Sequence, residues 1–309
     1  MDSKLHISSS PHIRKNISTQ NIMRDVVISL LPATVVGCYL FGLNAVILVI
    51  TCVLSCVLFE YIFNLIIKKT QTISDLSAVV TGLLLALNLP ATTPVWQAVV
   101  GSAFAIILVK CIFGGIGSNL VNPAITARVF MLIAFSSSIS KAAFPVADTV
   151  SSATPLVELA SGDTPSILNL FLGNIGGAIG ETSALALLIG GIYLLIKRVI
   201  TWHIPISIIA TVFVLSFLLD GFNAYNALAW ILSGGLFLGA FFMATDYVTS
   251  PTSAKGKIVY GIGVGLITVL IRFYGNYPEG LSFAILLMNI LNPYIESLTP
   301  RKLFGGNAK

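Results

Sequence analysis

The sequence predicts an all-α integral membrane protein of about ten transmembrane or half-membrane helices, built as an inverted five-helix repeat. Three observations carry that expectation. The chain has 309 residues, 56% hydrophobic and 9% charged, whereas an ordinary soluble domain is about 25% charged. Apolar windows recur along nearly its whole length, and a continuous helix needs about 20 such residues to cross a hydrocarbon core of about 30 Å. The basic residues collect in alternate connections between these windows, as the positive-inside rule describes.

Taken in order, the windows place helices at about 26–41, 45–67, 76–89, 96–113, 120–138, 182–197, 204–220, 224–245, 257–273 and 281–297. The third, LSAVVTGLLLALNLP, is short and stops at Pro90, and the fifth carries Asn122-Pro123 near its start. Both read as broken or half-length helices of the kind that line transporter sites. Five regions follow: a cytoplasmic tail (1–25), a first membrane repeat (26–138), an extracytoplasmic loop (139–181), a second membrane repeat (182–297) and a cytoplasmic tail (298–309).

Starting inside and crossing once per helix puts Lys4, Arg14, Lys15, Arg24, Lys68, Lys69, Lys197, Arg198, Lys255, Lys257, Arg301, Lys302 and Lys309 on the cytoplasmic side, thirteen of seventeen Lys and Arg residues. Both termini are therefore expected in the cytoplasm, with the protein multi-pass in the cell's inner (cytoplasmic) membrane. The N-terminus lacks the short apolar core of a cleaved signal peptide. Topology explains the net charge of +5 better than nucleic acid does.

The repeat is read from GLLLALNLP, a helix closing at Lys110, a Gly turn and Asn122-Pro123, beside GLFLGAFFMATDYVTSP, a helix closing at Arg272, a Gly turn and Asn292-Pro293. The second Asn-Pro pair is expected to end its helix. A unit of five helices inverts the second copy. Gly235-x-x-x-Gly239 and Gly261-x-x-x-Gly265 suit close helix contacts.

Ionisable groups inside spans are costly, which singles out Glu60, Asp75, Lys110, Arg128, Asp246 and Arg272. Asp75, Lys110 and Arg272 lie near helix ends, where capping or snorkelling accounts for them. Glu60, Arg128 and Asp246 are the candidates for an ion path or for internal pairs. Asn88-Leu89-Pro90, Asn122-Pro123, Thr245-Asp246 and Asn292-Pro293 are positioned to surround a cavity where freed carbonyls meet a cation or polar ligand. Cys38, Cys52, Cys56 and Cys111 fall within spans and read as small buried hydrophobes rather than metal ligands. The run GNIGGAIGE (Gly173 to Glu181) lacks a preceding strand, so it reads as a membrane-surface turn leading to a helix begun by Thr182 or Ser183. No catalytic constellation and no metal-ligand set is read.

One stretch of the long loop stands apart. DTVSSATPL, from Asp148 to Leu156, offers small hydroxyl residues behind one carboxylate, and a threonine hydroxyl in such a loop can be esterified by a phosphoryl group. Asp148, Ser151, Ser152, Ala153 and Thr154 match the flavin-attachment pattern D-x-x-[ST]-[GS]-A-T. ELASGDT, from Glu158 to Thr164, departs from it at Glu158 and Asp163. Further runs are SPHI (Ser10 to Ile13), GGIGSNLVNPAITARVF (Gly114 to Phe130), GAIGETSALALLIGG (Gly177 to Gly191), WHIP (Trp202 to Pro205), FMATDYVTSPTSAKGK (Phe242 to Lys257) and YPEG (Tyr277 to Gly280).

Together these resemble the D subunits of Rnf ion-translocating ferredoxin:NAD oxidoreductase complexes, homologous to the B subunit of the sodium-pumping NADH:quinone oxidoreductase. The resemblance implies a subunit that is not catalytic alone and carries electrons on FMN joined through its phosphate to Thr154 by a separate flavin transferase. It also implies a second, non-covalent flavin such as riboflavin, and the other Rnf subunits as partners. No nicotinamide, iron-sulfur or quinone signature is visible in this chain. The competing expectation from the residues alone is a channel or secondary transporter of inverted-repeat type.

Overall fold

A computed structural model describes residues 18–140, 143–145, 154–275 and 279–300. Among them the chain is helical, with a single isolated antiparallel bridge between Ala143 and Gly177. Helix α1 (Thr19–Phe41) begins behind Ser18, whose hydroxyl accepts the Asn21 N–H at 3.2 Å. It therefore starts well before residue 26, where the apolar window opens, because a hydroxyl N-cap sets a helix start in polar sequence.

Helix α2 (Leu43–Ile67) follows after Gly42, which turns the chain with φ +70°. It is apolar all round, and Leu43, Ile50, Leu54, Leu58 and Ile66 remain exposed, the pattern of a helix facing lipid or another membrane chain. Helix α3 (Ser77–Leu87) stops short at Asn88. Helix α4 (Val95–Ala103) continues as a π-helix through Phe104–Cys111, and α5 (Pro123–Ala134) starts with Asn122 as N-cap and Pro123 in its first turn. Pro at that position loses no helix hydrogen bond.

The short helices α6 (Ser136–Ile139), α7 (Pro155–Ser161) and α8 (Ile167–Leu172) follow, then α9 (Ala184–Ile196) and α10 (His203–Leu219). Helices α11 (Ala224–Leu232) and α12 (Leu236–Leu238), the latter extended by π-helical Gly239–Met243, are bent by 64° at the intervening break. The last two are α13 (Ala254–Tyr274) and α14 (Leu281–Leu298).

Helices α1, α2, α13 and α14 are long and apolar enough to span a membrane alone, and the bent pair makes a fifth candidate. Shorter apolar helices at Ser77–Leu87, Val95–Cys111, Pro123–Ala134, Ala184–Ile196 and His203–Leu219 complete the bundle. Each expected helix has its counterpart among these. The structure differs from the sequence reading in detail: Pro293 lies inside α14 rather than ending it, the helix expected over 224–245 is broken between α11 and α12, and α7 and α8 add helical turns to the long connection.

Small residues set the closest approaches. A Cβ on Gly261 would collide with Ser207, and one on Gly265 would stand 2.7 Å from Thr211 Cβ, so both glycines serve the α10–α13 contact within the subunit. Gly239 abuts Leu281 and Ile285 of α14. Cys56 and Cys111 pack with Ala78 and Ile106 in one apolar cluster, and the described residues contain no grouping of three metal-ligating His, Cys, Asp or Glu side chains.

Candidate functional site

Thr154 stands where the described chain re-enters, in extended conformation (φ −67°, ψ 151°), and its carbonyl opens α7 by accepting from Val157 (2.8 Å) and Glu158 (3.0 Å). A threonine at an N-cap ordinarily turns its hydroxyl onto the next N–H groups. Here it does not: Oγ1 is buried and has no hydrogen-bond partner among the described residues. Asp148, Ser151, Ser152 and Ala153 lie outside the described residues. Thr164, in the link to α8, is exposed. Leu156 and Leu159 of α7 and Leu170 of α8 pack on Ala229 and Trp230, so this segment lies on α11.

The second feature is a cavity of ≈ 120 Å³ between α1, α3, the start of α5 and the α12 end. Asn122, Pro123, Thr245 and Asp246 line it, in agreement with the sequence expectation, together with Lys110, Asn119, Phe241 and Phe242. The Asn119 Oδ1 atom is buried without a hydrogen-bond partner among the described residues. Asp246, in the connection after α12, accepts from its own turn, from Val248 N (3.4 Å) and Thr249 Oγ1 (3.2 Å). Burial raises its carboxyl above the ordinary range, and those two hydrogen bonds partly offset the rise.

Asn88 and Asn292 fall outside this cavity. Asn88 instead donates to Leu84 O (2.6 Å) and approaches Met243 Sδ (3.6 Å), while Asn122 Nδ2 donates to Met243 O at 3.3 Å. The ends of α3 and α12 and the start of α5 thus meet at one point. Asn289 of α14 joins them, its amide turned so that nitrogen faces Thr249 O (3.3 Å) and oxygen faces Asn122 N (3.2 Å).

Glu60 does not line the cavity but reaches it through Lys110. The ammonium lies 2.8 Å from Glu60 Oε2 and 2.6 Å from Ser77 Oγ, with both charged side chains almost wholly enclosed. Thr72 donates to Glu60 Oε1 at 2.6 Å, and Asp75 accepts from the Ser77 N–H and hydroxyl at 2.8 and 2.6 Å. Asp75 caps as expected. Lys110 does not snorkel, because the wide π-helical turn re-aims it inward from its place in the apolar window.

Arg128 stands apart from Glu60 and Asp246. Its guanidinium donates to the Asn88 carbonyl, lies 3.2 Å from Asn88 Oδ1, and pairs with Glu279 and, at 3.3 Å, with Glu181. Two further N–H groups reach the same helix end: Ile179 donates to Leu89 O (3.0 Å) and Gly180 to Leu87 O (2.8 Å). Arg272 does not snorkel either; it donates to Trp230 O (2.6 Å) and Ser233 O (3.1 Å) at the end of α11. Carbonyls at the ends of α3 and α11 are therefore met by guanidinium groups.

For the run containing Glu181 the sequence predicts a surface turn. The run does lead into α9 through the Ser183 N-cap, which accepts from Ala186 N at 3.3 Å. Ala178, Ile179, Glu181 and Thr182 are nonetheless buried, because the run plugs the end of α3. Sequence reasoning passes over Glu181 and Glu279; an acid beside a glycine just before an apolar helix is the available signal.

The model of the NQR2, RnfD, RnfE family matches residues 6–305. The chain is 51% identical to the D subunit of the Na(+)-translocating ferredoxin:NAD(+) oxidoreductase complex of Acetobacterium woodii, over 97% of this chain and 95% of the relative. It is 39% identical to the D subunit of the proton-translocating ferredoxin:NAD(+) oxidoreductase complex of Clostridium ljungdahlii, over 97% and 96%. Identity to the D subunit of the ion-translocating oxidoreductase complex of Methanosarcina acetivorans is 35%, over 98% of both chains.

Proposed function

The chain belongs to the NQR2, RnfD, RnfE family, and from that premise we propose that it is the membrane-embedded D subunit of an ion-translocating ferredoxin:NAD oxidoreductase complex, bearing FMN esterified to Thr154. The observation that carries the attachment is the Thr154 hydroxyl. It completes the D-x-x-S-S-A-T run, yet it neither caps α7 nor bonds to any described residue. A buried hydroxyl left without a partner is unfavourable, and a phosphodiester at Oγ1 removes that donor. FMN supplies reversible electron carriage there. The chain's own residues anchor it and hold the anchor against α11. A flavin transferase makes the bond, and the remaining subunits of the complex supply nicotinamide and ferredoxin chemistry.

The test is denaturing electrophoresis after co-expression with a flavin transferase. The wild-type band is expected to fluoresce and the Thr154→Val band to be dark. A fluorescent Thr154→Val band refutes the assignment.

For the second, non-covalent flavin such as riboflavin, the cavity beside Asn122 offers suitable groups, although at ≈ 120 Å³ it is smaller than the about 300 Å³ at which small-molecule sites begin, so the helices around it must part to admit the ring. Phe241 and Phe242 suit a planar ring, while Lys110, Asn119, Asn122 and Thr245 offer polar groups to an amide-like edge, including the unpartnered Asn119 oxygen. Asn122→Leu is expected to lower acid-extractable flavin and leave covalent fluorescence intact. Unchanged extractable flavin would exclude the cavity.

For the ion path, Glu60 and Asp246 serve the half of the bundle holding the cavity, and Arg128 lies beyond the Asn88–Met243 contact. The carboxylates suit sodium or protons equally. With thirteen basic residues assigned to one face, both termini lie in the cytoplasm and Thr154 outside. The bend of 64° between α11 and α12, beside the shortened α3, also favours the second reading, an inverted-repeat channel or secondary transporter. That reading requires ion flux in vesicles without any electron donor.

A further inference from the structure

We propose that Glu181 is a positioning residue that ties the Thr154 segment to both helix breaks, so that electrons loaded on that segment alter the interruptions in the membrane helices. This rests on reading Thr154 as the flavin anchor.

The connection runs through contacts at each step. From Thr154 the chain enters α7, and Leu156 lies against Gly234, the residue at φ +67° between α11 and α12. A Cβ on Gly234 would stand 2.8 Å from Leu156 Cδ1 and 3.3 Å from Arg272 Nη2. Arg272 fixes the α11 end through the Trp230 and Ser233 carbonyls, and its Nε is buried without a partner among the described residues. On the other side of the break, a Cβ on Gly235 would stand 2.8 Å from Glu181 Oε1.

That carboxylate lies 3.3 Å from Arg128 Nη2, and Arg128 fixes the α3 end at Asn88. Glu181's own loop feeds the Ile179 and Gly180 N–H groups to the same end. Glu181 therefore stands between the two guanidinium groups that close the two breaks, with Glu279 as a second carboxylate on Arg128. A void of ≈ 10 Å³ bounded by Asn88, Glu181, Gly235 and Arg272 leaves space of about one water there.

The electrostatics follow from burial. Arg128 and Arg272 are 5% and 6% exposed and Glu181 is 4% exposed, so salt screens their interactions little. Negative charge arriving on the Thr154 segment attracts Arg272 and repels Glu181, which loosens the grip of the Glu181 loop on the α3 end. Such coupling is reciprocal. Removing the Glu181 charge must then make the covalent flavin easier to reduce.

The test uses the whole complex, co-expressed with a flavin transferase and reconstituted in vesicles. Readouts are in-gel fluorescence of the flavin-bearing chain, midpoint potential of the covalent flavin, and cation uptake per electron. Glu181→Gln is expected to keep its fluorescence, raise the midpoint potential, and lower cation uptake per electron. Glu181→Asp, which keeps the charge, is expected to stay near wild type.

An unmoved potential with unchanged uptake per electron in a fluorescent Glu181→Gln complex overturns the proposal. If Glu181→Gln fails to assemble, Leu156→Ala decides, since it leaves every charge in place. Reduced uptake per electron then supports the link, and wild-type uptake overturns it. Absence of fluorescence in the wild type overturns the attachment reading itself, and is seen before any coupling is measured.

Discussion

Lys110 and Glu60 show what one buried pair demands of this protein. Each is 2% exposed, and their 2.8 Å contact is supported by Ser77 and Thr72, so every charged atom has a partner. Removing one member of such a pair strands the other, at a cost of about 3–5 kcal/mol. Lys110→Met is therefore expected to lower the thermal midpoint of the purified protein in detergent, and adding Glu60→Leu to restore most of it. A Lys110→Met protein as stable as wild type would show that Glu60 needs no counter-ion. The sequence marks both residues as costly. It does not show that they meet, because contacts between distant helices leave no trace in spacing, and the π-helical turn that aims Lys110 inward is not a hydropathy feature. Thr154 is the opposite case: its motif is local and legible, and the structure adds only the uncommitted hydroxyl.

Among the elements, the glycine-rich run before α9 departs most from its sequence reading. Hydropathy identifies a turn, and the Ser183 cap bears that out. Its burial depends on what it touches: Gly180 lies so close to α3 that a Cβ would stand 2.5 Å from Leu87 Cβ, whereas among the described residues a Cβ on Gly177 would meet only Thr182, at 3.9 Å. These two glycines, three residues apart, should therefore differ. Gly180→Ala is expected to destabilise by about 1–3 kcal/mol, as overpacking does, and to raise hydrogen exchange at the Ile179 and Gly180 amides. Gly177→Ala should be close to neutral. Equal effects of the two substitutions would argue against the loop as a plug. The interruptions at Asn88-Leu89-Pro90 and Asn122-Pro123 are visible in the sequence, but the break between α11 and α12 and its closure by Arg272 are not, since an arginine near a helix end reads equally as a snorkelling residue; Arg128 reads as a candidate for an internal pair without its partner being legible.

For the whole molecule, hydropathy suffices for the ten principal helical segments because backbone groups in lipid have few alternatives to helix. Arrangement needs coordinates. Lys257 donates to Thr201 Oγ1 at 3.1 Å, which brings the connections before α10 and α13 to one end of the bundle, the end proposed to be cytoplasmic. A cysteine at Lys255 is expected to react with an impermeant thiol reagent only in inside-out vesicles, and one at Ser161 only in right-side-out cells. The reverse pattern would invert the topology and put Thr154 in the cytoplasm. Attachment of flavin to Thr154 is tested by peptide mass spectrometry of the chain purified from the whole complex. The predicted result is the mass of FMN less one water, with fragments placing it on Thr154. Modification at Thr164 instead, or unmodified peptides across 148–164 in a complex that otherwise transfers electrons, would contradict it.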